Sequence, residues 1–260
     1  MTEEGREPIV RMIGIDKFFG GVQAVNNVDL TLYPGEVLAV LGDNGAGKTT
    51  LIKCLSGAHS ADGGEIYFKG KKVSISNTLD ARKLGIETIY QNLGLVDTYN
   101  FYENIFLGRE IVYKGFFGKL GFINIRAMSA EGLKLIKSFG INIPSRRVKV
   151  NSLSGGQRQI VAISRAIYFN AEVIIMDEPT AALGVAETQK VYDFISILKS
   201  KGISIIIISH NINEVFNIAD RYMVLKVGKL VGVKKREETS VDKVIQMIIS
   251  GKDIQAVETI

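Results

Sequence analysis

Gly42-Asp43-Asn44-Gly45-Ala46-Gly47-Lys48-Thr49 fits the pattern G-x-x-x-x-G-K-[ST] at every fixed position. Glycines at 42, 45 and 47 let the backbone wrap closely, so successive N–H groups can turn inward onto phosphate oxygens. Lys48 supplies a cation for the terminal phosphates, the Thr49 hydroxyl a ligand for Mg²⁺, and Thr50 a further contact. A second set is Asp177-Glu178, which follows the apolar stretch 172–176. There Asp177 would hold Mg²⁺ through water and Glu178 would polarise the attacking water, although adjacent carboxylates also suit a solvated strand end. The third is Leu153-Ser154-Gly155-Gly156-Gln157, at the opening of a helical pattern. A serine hydroxyl and glycine N–H groups at a helix N-terminus suit an anion, and equally make a good N-cap. The chemistry implied is binding and hydrolysis of a nucleoside triphosphate.

Such groups need elements to hold them. Residues 9–15, 28–32 and 36–41 are β-rich, and the third stretch runs straight into the glycines and a helical pattern over 49–55. Asp62-Gly63-Gly64 predicts a turn, 65–68 and 73–75 a hairpin, and 85–90 another strand. From about 92 to 168 long β-branched runs are missing. Helical patterns replace them, one over 129–140 with Leu135, Ile136 and Phe139 on one side, another over 156–168. Strand 172–176 follows; Val191, Phe194, Ile195 and Leu198 then have i, i+3, i+4, i+7 spacing, and Gly202 stops that helix. Residues 203–208 read as a fully buried strand, 221–231 as a closing strand pair and 241–249 as a final helix. Strand–helix alternation implies a mainly parallel sheet with helices on its faces. The expected fold is α/β, one domain over 1–260, with a core from about 1–91 and 169–260. An antiparallel β part precedes that sheet, and a helical lobe is inserted at about 92–168.

Composition narrows the field. An apolar share of 46% and a charged share of 23% are those of an ordinary soluble globular protein. No apolar run approaches the roughly 20 residues that span a bilayer, and the acidic, polar residues 1–7 do not read as a secretory signal. The single cysteine, Cys54, excludes an internal disulfide and a multi-cysteine metal site, and is expected as a small filler in a helix. A net charge of +5 invites a nucleic-acid reading, but Lys69, Lys71, Lys72 and Lys234, Lys235, Arg236 read as solvated turns. No nucleic-acid partner is expected.

The order of 42–49, Gln91, 153–157, Asp177-Glu178 and His210 resembles that of an ABC-type ATPase, the nucleotide-binding subunit of ABC transporters, over about residues 9–232. The resemblance implies a P-loop NTPase (RecA-like) core with ATP and Mg²⁺. Gln91 matches the Q-loop glutamine, which touches Mg²⁺ and links to the helical lobe. Ser154, Gly155, Gly156 and Gln157 match the signature that closes over the γ-phosphate in the partner subunit. His210 matches the switch histidine at the γ-phosphate, and Phe19 the aromatic that stacks on adenine, with Phe18 the other candidate. His59 matches nothing and is expected at the surface. The resemblance thus makes Glu178, His210 and Gln91 catalytic and Thr49, Gln91 and Asp177 metal-binding. One motif departs from the pattern: Gly184 follows Leu183 where the family usually has Asp, so a carboxylate that helps couple the two sites is missing.

Gly20-Gly21-Val22-Gln23-Ala24-Val25, Glu103-Asn104-Ile105-Phe106-Leu107-Gly108-Arg109-Glu110 and Thr180-Ala181-Ala182-Leu183-Gly184 are similar to the monosaccharide-importer branch, the ribose, xylose or galactose type. That branch usually fuses two cassettes; one cassette here implies a homodimer. It also implies a transmembrane permease, an indirect solute-binding protein, and a peripheral place on the cytoplasmic side of the membrane. The stretch 91–104, with Tyr99, Phe101 and Tyr102, is the expected permease-docking surface, unless those aromatics are lobe core. The alternatives are another small solute, or a soluble ABC ATPase acting on nucleic acid or ribosomes. DNA-repair types need a long coiled coil between Lys48 and Asp177, and translation factors need two cassettes. The sugar is not legible, because this subunit never touches it.

Overall fold

Val and Ile are the commonest residues in the segments that become strands, and the computed structural model pairs these segments into two sheets. It describes residues 6–138, 143, 145, 147–181 and 183–253; Phe139, Gly140 and Ala182 of the sequence reading lie outside these. The first sheet is four-stranded, in the order β2-β1-β4-β5, from β1 (Val10–Phe19), β2 (Val22–Leu32), β4 (Gly63–Phe68) and β5 (Lys71–Val73). All its pairings are antiparallel. The second is six-stranded, in the order β10-β9-β3-β8-β7-β6. Its strands are β3 (Val37–Leu41), β6 (Ile86–Ile89), β7 (Val173–Asp177), β8 (Ser204–Ile208), β9 (Arg221–Lys226) and β10 (Lys229–Lys235). β3 lies parallel to β8 and β9, and β7 parallel to β8, while β9 and β10 pair antiparallel as a hairpin. Every residue of β3 and β8 is buried, as continuous apolar runs in a parallel sheet require.

The chain divides into two compact units, Met1–Thr88 with Ala171–Pro179 and Leu198–Ile260, and Ile89–Asn170 with Thr180–Ile197. The first has a core that includes Val10, Met12 and Ile15 of β1, Leu51 and Leu55 of α1 (Lys48–Leu55), Ile175 and Ile206. Cys54 of α1 is fully buried there, the filler its sequence context suggests. The basic runs are tied down by ion pairs: Lys69 with Glu172, Lys72 with Glu65 and Lys234 with Asp253. The second unit packs α3 (Phe101–Ile105), α5 (Ile125–Lys137) and α6 (Gly155–Tyr168) around Phe101, Phe106, Met128, Ile136 and Val161.

Phe101 is fully buried and Tyr102 nearly so, whereas Tyr99 is exposed. The expected docking surface at 91–104 is therefore corrected: two of its three aromatics are core, placed there because Asn104 anchors α3 to Val96 O and Asn100 O.

Other differences have local causes. Gly63 and Gly64 do not form the expected turn but begin β4. A Cβ on Gly64, at φ +90°, would sit 2.5 Å from the carbonyl oxygens of Ile13 and Gly14, so glycine serves close strand approach. The hairpin turn expected around Gly70 falls at Lys69-Gly70, both with positive φ, and β5 starts two residues earlier than expected, at Lys71–Val73. α5 starts four residues before the expected 129 because the Asn124 side chain caps it by accepting from Ala127 N–H. Four short helices carried no sequence expectation: α2 (Thr78–Lys83), α3, α4 (Phe116–Lys119) and α8 (Ile212–Val215). The remaining helices, α7 (Val185–Ser200) and α9 (Val241–Ser250), lie close to expectation. Among the described residues no helix is long and apolar enough to cross a membrane.

Candidate nucleotide-binding site

In the first unit the C-terminal ends of β3, β7 and β8 each deliver one part of the site. β3 runs into the glycine loop. Gly42 takes φ +147° and Gly47 φ +94°, and neither position has room for a side chain. A Cβ on Gly42 would lie 2.2 Å from Leu225 O, and one on Gly47 2.6 Å from Ala24 O. Gly47 is also the N-cap of α1 and offers no side chain, so no side-chain hydrogen bond closes that helix end. The first-turn N–H groups remain available to an anion.

Lys48 is only 6% exposed, and its ammonium donates to Gly42 O at 2.7 Å and Asp43 O at 2.9 Å. Burial lowers its pKa; the negative charges of Glu178, Asp43 and Asp177 work the other way. The cation is thus folded back on its own loop.

β7 ends on Asp177, and Glu178 follows with φ +50°, its N–H donating to Ile208 O at 3.0 Å. Burial, then the adjacent Glu178 carboxylate, raise the Asp177 pKa, while Lys53 and Lys48 oppose the rise. Two residues beyond β8, His210 brings Nδ1 to 2.7 Å from Glu178 Oε1.

A cleft of about 300 Å³ brings the glycine loop and Glu178 together. Phe19, Ala24, residues 44–50 and Glu178 line it, and the carbonyls of Gly42 and Asp43 hold Lys48 at its floor. Phe19, not Phe18, is among the lining residues. The Phe19 ring meets His59 edge-on at 5.2 Å and has Lys17 Nζ 5.6 Å from its centroid. His59 is half-buried rather than the plain surface residue expected, because this contact covers it. Sequence reasoning also missed Ala24 and Gly228; Gly228 N–H donates to Ala46 O at 3.1 Å and Gly228 O accepts from Asn26. No spacing signal marks either residue.

Gln91 and residues 153–157 belong to the second unit. Gln91 is exposed. Ser154 caps α6 in a reciprocal box: its Oγ accepts from Gln157 N–H, and Gln157 Oε1 accepts from Ser154 N–H at 3.0 Å. A Cβ on Gly155 would meet the end of the Leu183 side chain at 2.6 Å, so a larger residue where α6 begins would have to displace that leucine.

Among the described residues no three His, Cys, Asp or Glu side chains group as a metal cage. The donors present are oxygens, the Thr49 hydroxyl and the Asp177 carboxylate. Such a sparse oxygen set fits Mg²⁺, which keeps waters and takes one or two carboxylates plus substrate phosphates.

A protein-family profile described as ABC transporter matches residues 25–181. The xylose/arabinose import ATP-binding protein XylG of Sulfolobus acidocaldarius is 49% identical over 236 residues, 91% of this chain and 92% of that protein. The ribose import ATP-binding protein RbsA of Caldanaerobacter subterraneus subsp. tengcongensis is 46% identical over 249 residues, 96% of this chain and 49% of that protein. The chain thus spans about half the length of this second relative. Among solved structures, the dimeric post-hydrolysis state of the ATP-binding cassette MJ0796 bound to ADP and Pi superposes with a TM-score of 0.69. It is 26% identical and covers 87% of this chain and 98% of that one.

Proposed function

Since this chain belongs to the ABC transporter family, we propose that it binds and hydrolyses ATP as the ATP-binding subunit of a monosaccharide importer. The observation that carries this reading is one cleft lined by both buried Lys48 and Glu178, whose carboxylate meets His210 Nδ1.

The chemistry divides among this chain's residues. N–H groups of 44–50 would receive the β- and γ-phosphates, and Lys48 would exchange the Gly42 and Asp43 carbonyls for phosphate oxygens. Thr49 and Asp177, with Gln91, would hold Mg²⁺, which supplies charge neutralisation at the phosphates. Glu178 orients and polarises the attacking water, and His210 fixes the Glu178 carboxylate while facing the γ-phosphate. Phe19 lies under the adenine.

The second half of each site comes from another copy. Ser154 and the N–H groups of Gly155 and Gly156, at the start of α6, would cap the γ-phosphate bound by the partner subunit. A homodimer with two such sites closes on ATP and opens after hydrolysis. That motion drives a transmembrane permease, fed by a solute-binding protein, from the cytoplasmic face of the membrane. The transported class is a monosaccharide, on the strength of the pentose importers to which this chain is similar.

Phosphate release from ATP, followed with Mg²⁺ and then with excess chelator, tests the core of this reading. Turnover should require Mg²⁺ and vanish in Lys48→Ala. Persistent hydrolysis by that variant would refute the site.

A further inference from the structure

Between Ile111 and Arg126 the second unit carries a surface that the reading above leaves unused. Phe116, Phe117, Leu120 and Phe122 are 71%, 59%, 59% and 55% exposed. The rings form one cluster, with Phe117 edge-on to Phe116 at 6.0 Å and to Phe122 at 5.8 Å.

The backbone beneath them closes on itself. Tyr113 N–H donates to Phe122 O at 3.0 Å, Phe122 N–H to Phe117 O at 3.1 Å, Leu120 N–H to Phe116 O at 3.2 Å and Asn124 N–H to Ile111 O at 2.6 Å. Gly118 makes the fold-back possible, since a Cβ there would sit 1.8 Å from Tyr113 O. The rings therefore stand on a tight knob in which the amides of Tyr113, Lys119, Leu120, Gly121, Phe122 and Asn124 bond internally, which lowers the cost of entering an apolar medium.

The charged residues of the segment itself have one sign. Lys114, Lys119 and Arg126 are exposed, and no Asp or Glu occurs from Ile111 to Ala130. Neighbouring Glu110 is turned onto Gly108 N–H.

We propose that this knob docks on an anionic lipid surface, with Phe116, Phe117, Leu120 and Phe122 in the headgroup–acyl boundary and Lys114, Lys119 and Arg126 on the lipid phosphates. Two observations select lipid over protein. Phe116, Phe117, Leu120 and Phe122 have no polar atom to fix a register, and exposed Val112, Ile123 and Ile125 add apolar surface on the same segment, where Tyr113 adds a single hydroxyl. The charge within the segment, from Ile111 to Ala130, is wholly positive, which complements an anionic leaflet. The proposal does not depend on which solute is carried, nor on ATP hydrolysis.

The test is co-sedimentation of the full chain with vesicles of phosphatidylcholine alone, and of phosphatidylcholine with phosphatidylglycerol. Binding should need the anionic lipid and weaken with salt. Each of Lys114→Gln and Lys119→Gln should cost about fivefold in partitioning. Phe116→Ser with Phe117→Ser should cost on the order of tenfold or more, while basal ATPase and circular dichroism stay those of the parent. Because the chain has no tryptophan, Phe117→Trp adds a single reporter, whose emission should shift blue on anionic vesicles and be quenched by brominated lipid. No vesicle binding at low salt, parental binding by the double serine variant, or an unquenched reporter would each overturn the proposal. So would binding confined to membranes that carry the permease, or loss of self-association in the serine variant, since the occupant would then be a protein.

Discussion

His210 Nδ1 lies 2.7 Å from Glu178 Oε1, joining the ends of two adjacent parallel strands, β8 and β7. If Glu178 polarises water as proposed, Glu178→Gln keeps the hydrogen bond to His210 but removes the negative charge. Turnover should fall about 10²–10⁴-fold with ATP binding intact. The variant should collect as an ATP-bound dimer on gel filtration, and Ser154→Arg added to it should return it to monomer. A monomer at saturating ATP and Mg²⁺ would contradict the shared site.

Lys48→Ala and Gly42→Ala separate binding from folding. The first removes a charged contact worth about 1.5–3 kcal/mol to phosphate, and should abolish hydrolysis while the thermal midpoint moves little. The second places a methyl 2.2 Å from Leu225 O in a backbone conformation that alanine resists, so its melting temperature should drop clearly. Equal melting curves for the two variants would mean that the loop relaxes around the methyl.

Asp177 gives a pH signature. Burial and the Glu178 carboxylate raise its pKa above the ordinary 3.8, so between 3.8 and the raised value the folded chain holds more protons than the unfolded one. This stabilisation is fully present below 3.8 and is lost as pH rises through the folded value. A bound cation needs the ionised carboxylate, so affinity for Mg²⁺–ATP should strengthen with pH over the same window, with proton release on binding. Asp177→Asn should flatten that dependence in titration calorimetry.

Phe101→Ala should cost about 3–5 kcal/mol in urea unfolding, as expected for a fully buried aromatic. Tyr99→Asp, at an exposed position two residues earlier, should leave the unfolding curve unchanged. A permease-uptake defect in Tyr99→Asp alone would keep that residue in a docking surface.

These contrasts show what the sequence could convey. Gly42 to Thr49 was legible because a phosphate loop demands glycine where the backbone folds tightly, and β3 and β8 because unbroken apolar runs, Val37–Leu41 and Ile205–Ile208, suit a strand buried on both faces. Phe101 and Phe116 were not distinguishable, since both sit in short helices whose periodicity is too brief to define a face. Gly63-Gly64 misled because glycine permits a turn and a close strand approach alike. The contact between His59 and Phe19 joins residues far apart in the chain, and no local pattern announces it.

Glu178 sits at φ +50°, where a side-chain-bearing residue gives up roughly 1–2 kcal/mol relative to the usual backbone wells. Selection for durability alone would put glycine or asparagine there. If Glu178 polarises the attacking water as proposed, position 178 is a trade between robustness and turnover: the change that would relax the chain most cheaply would also silence it.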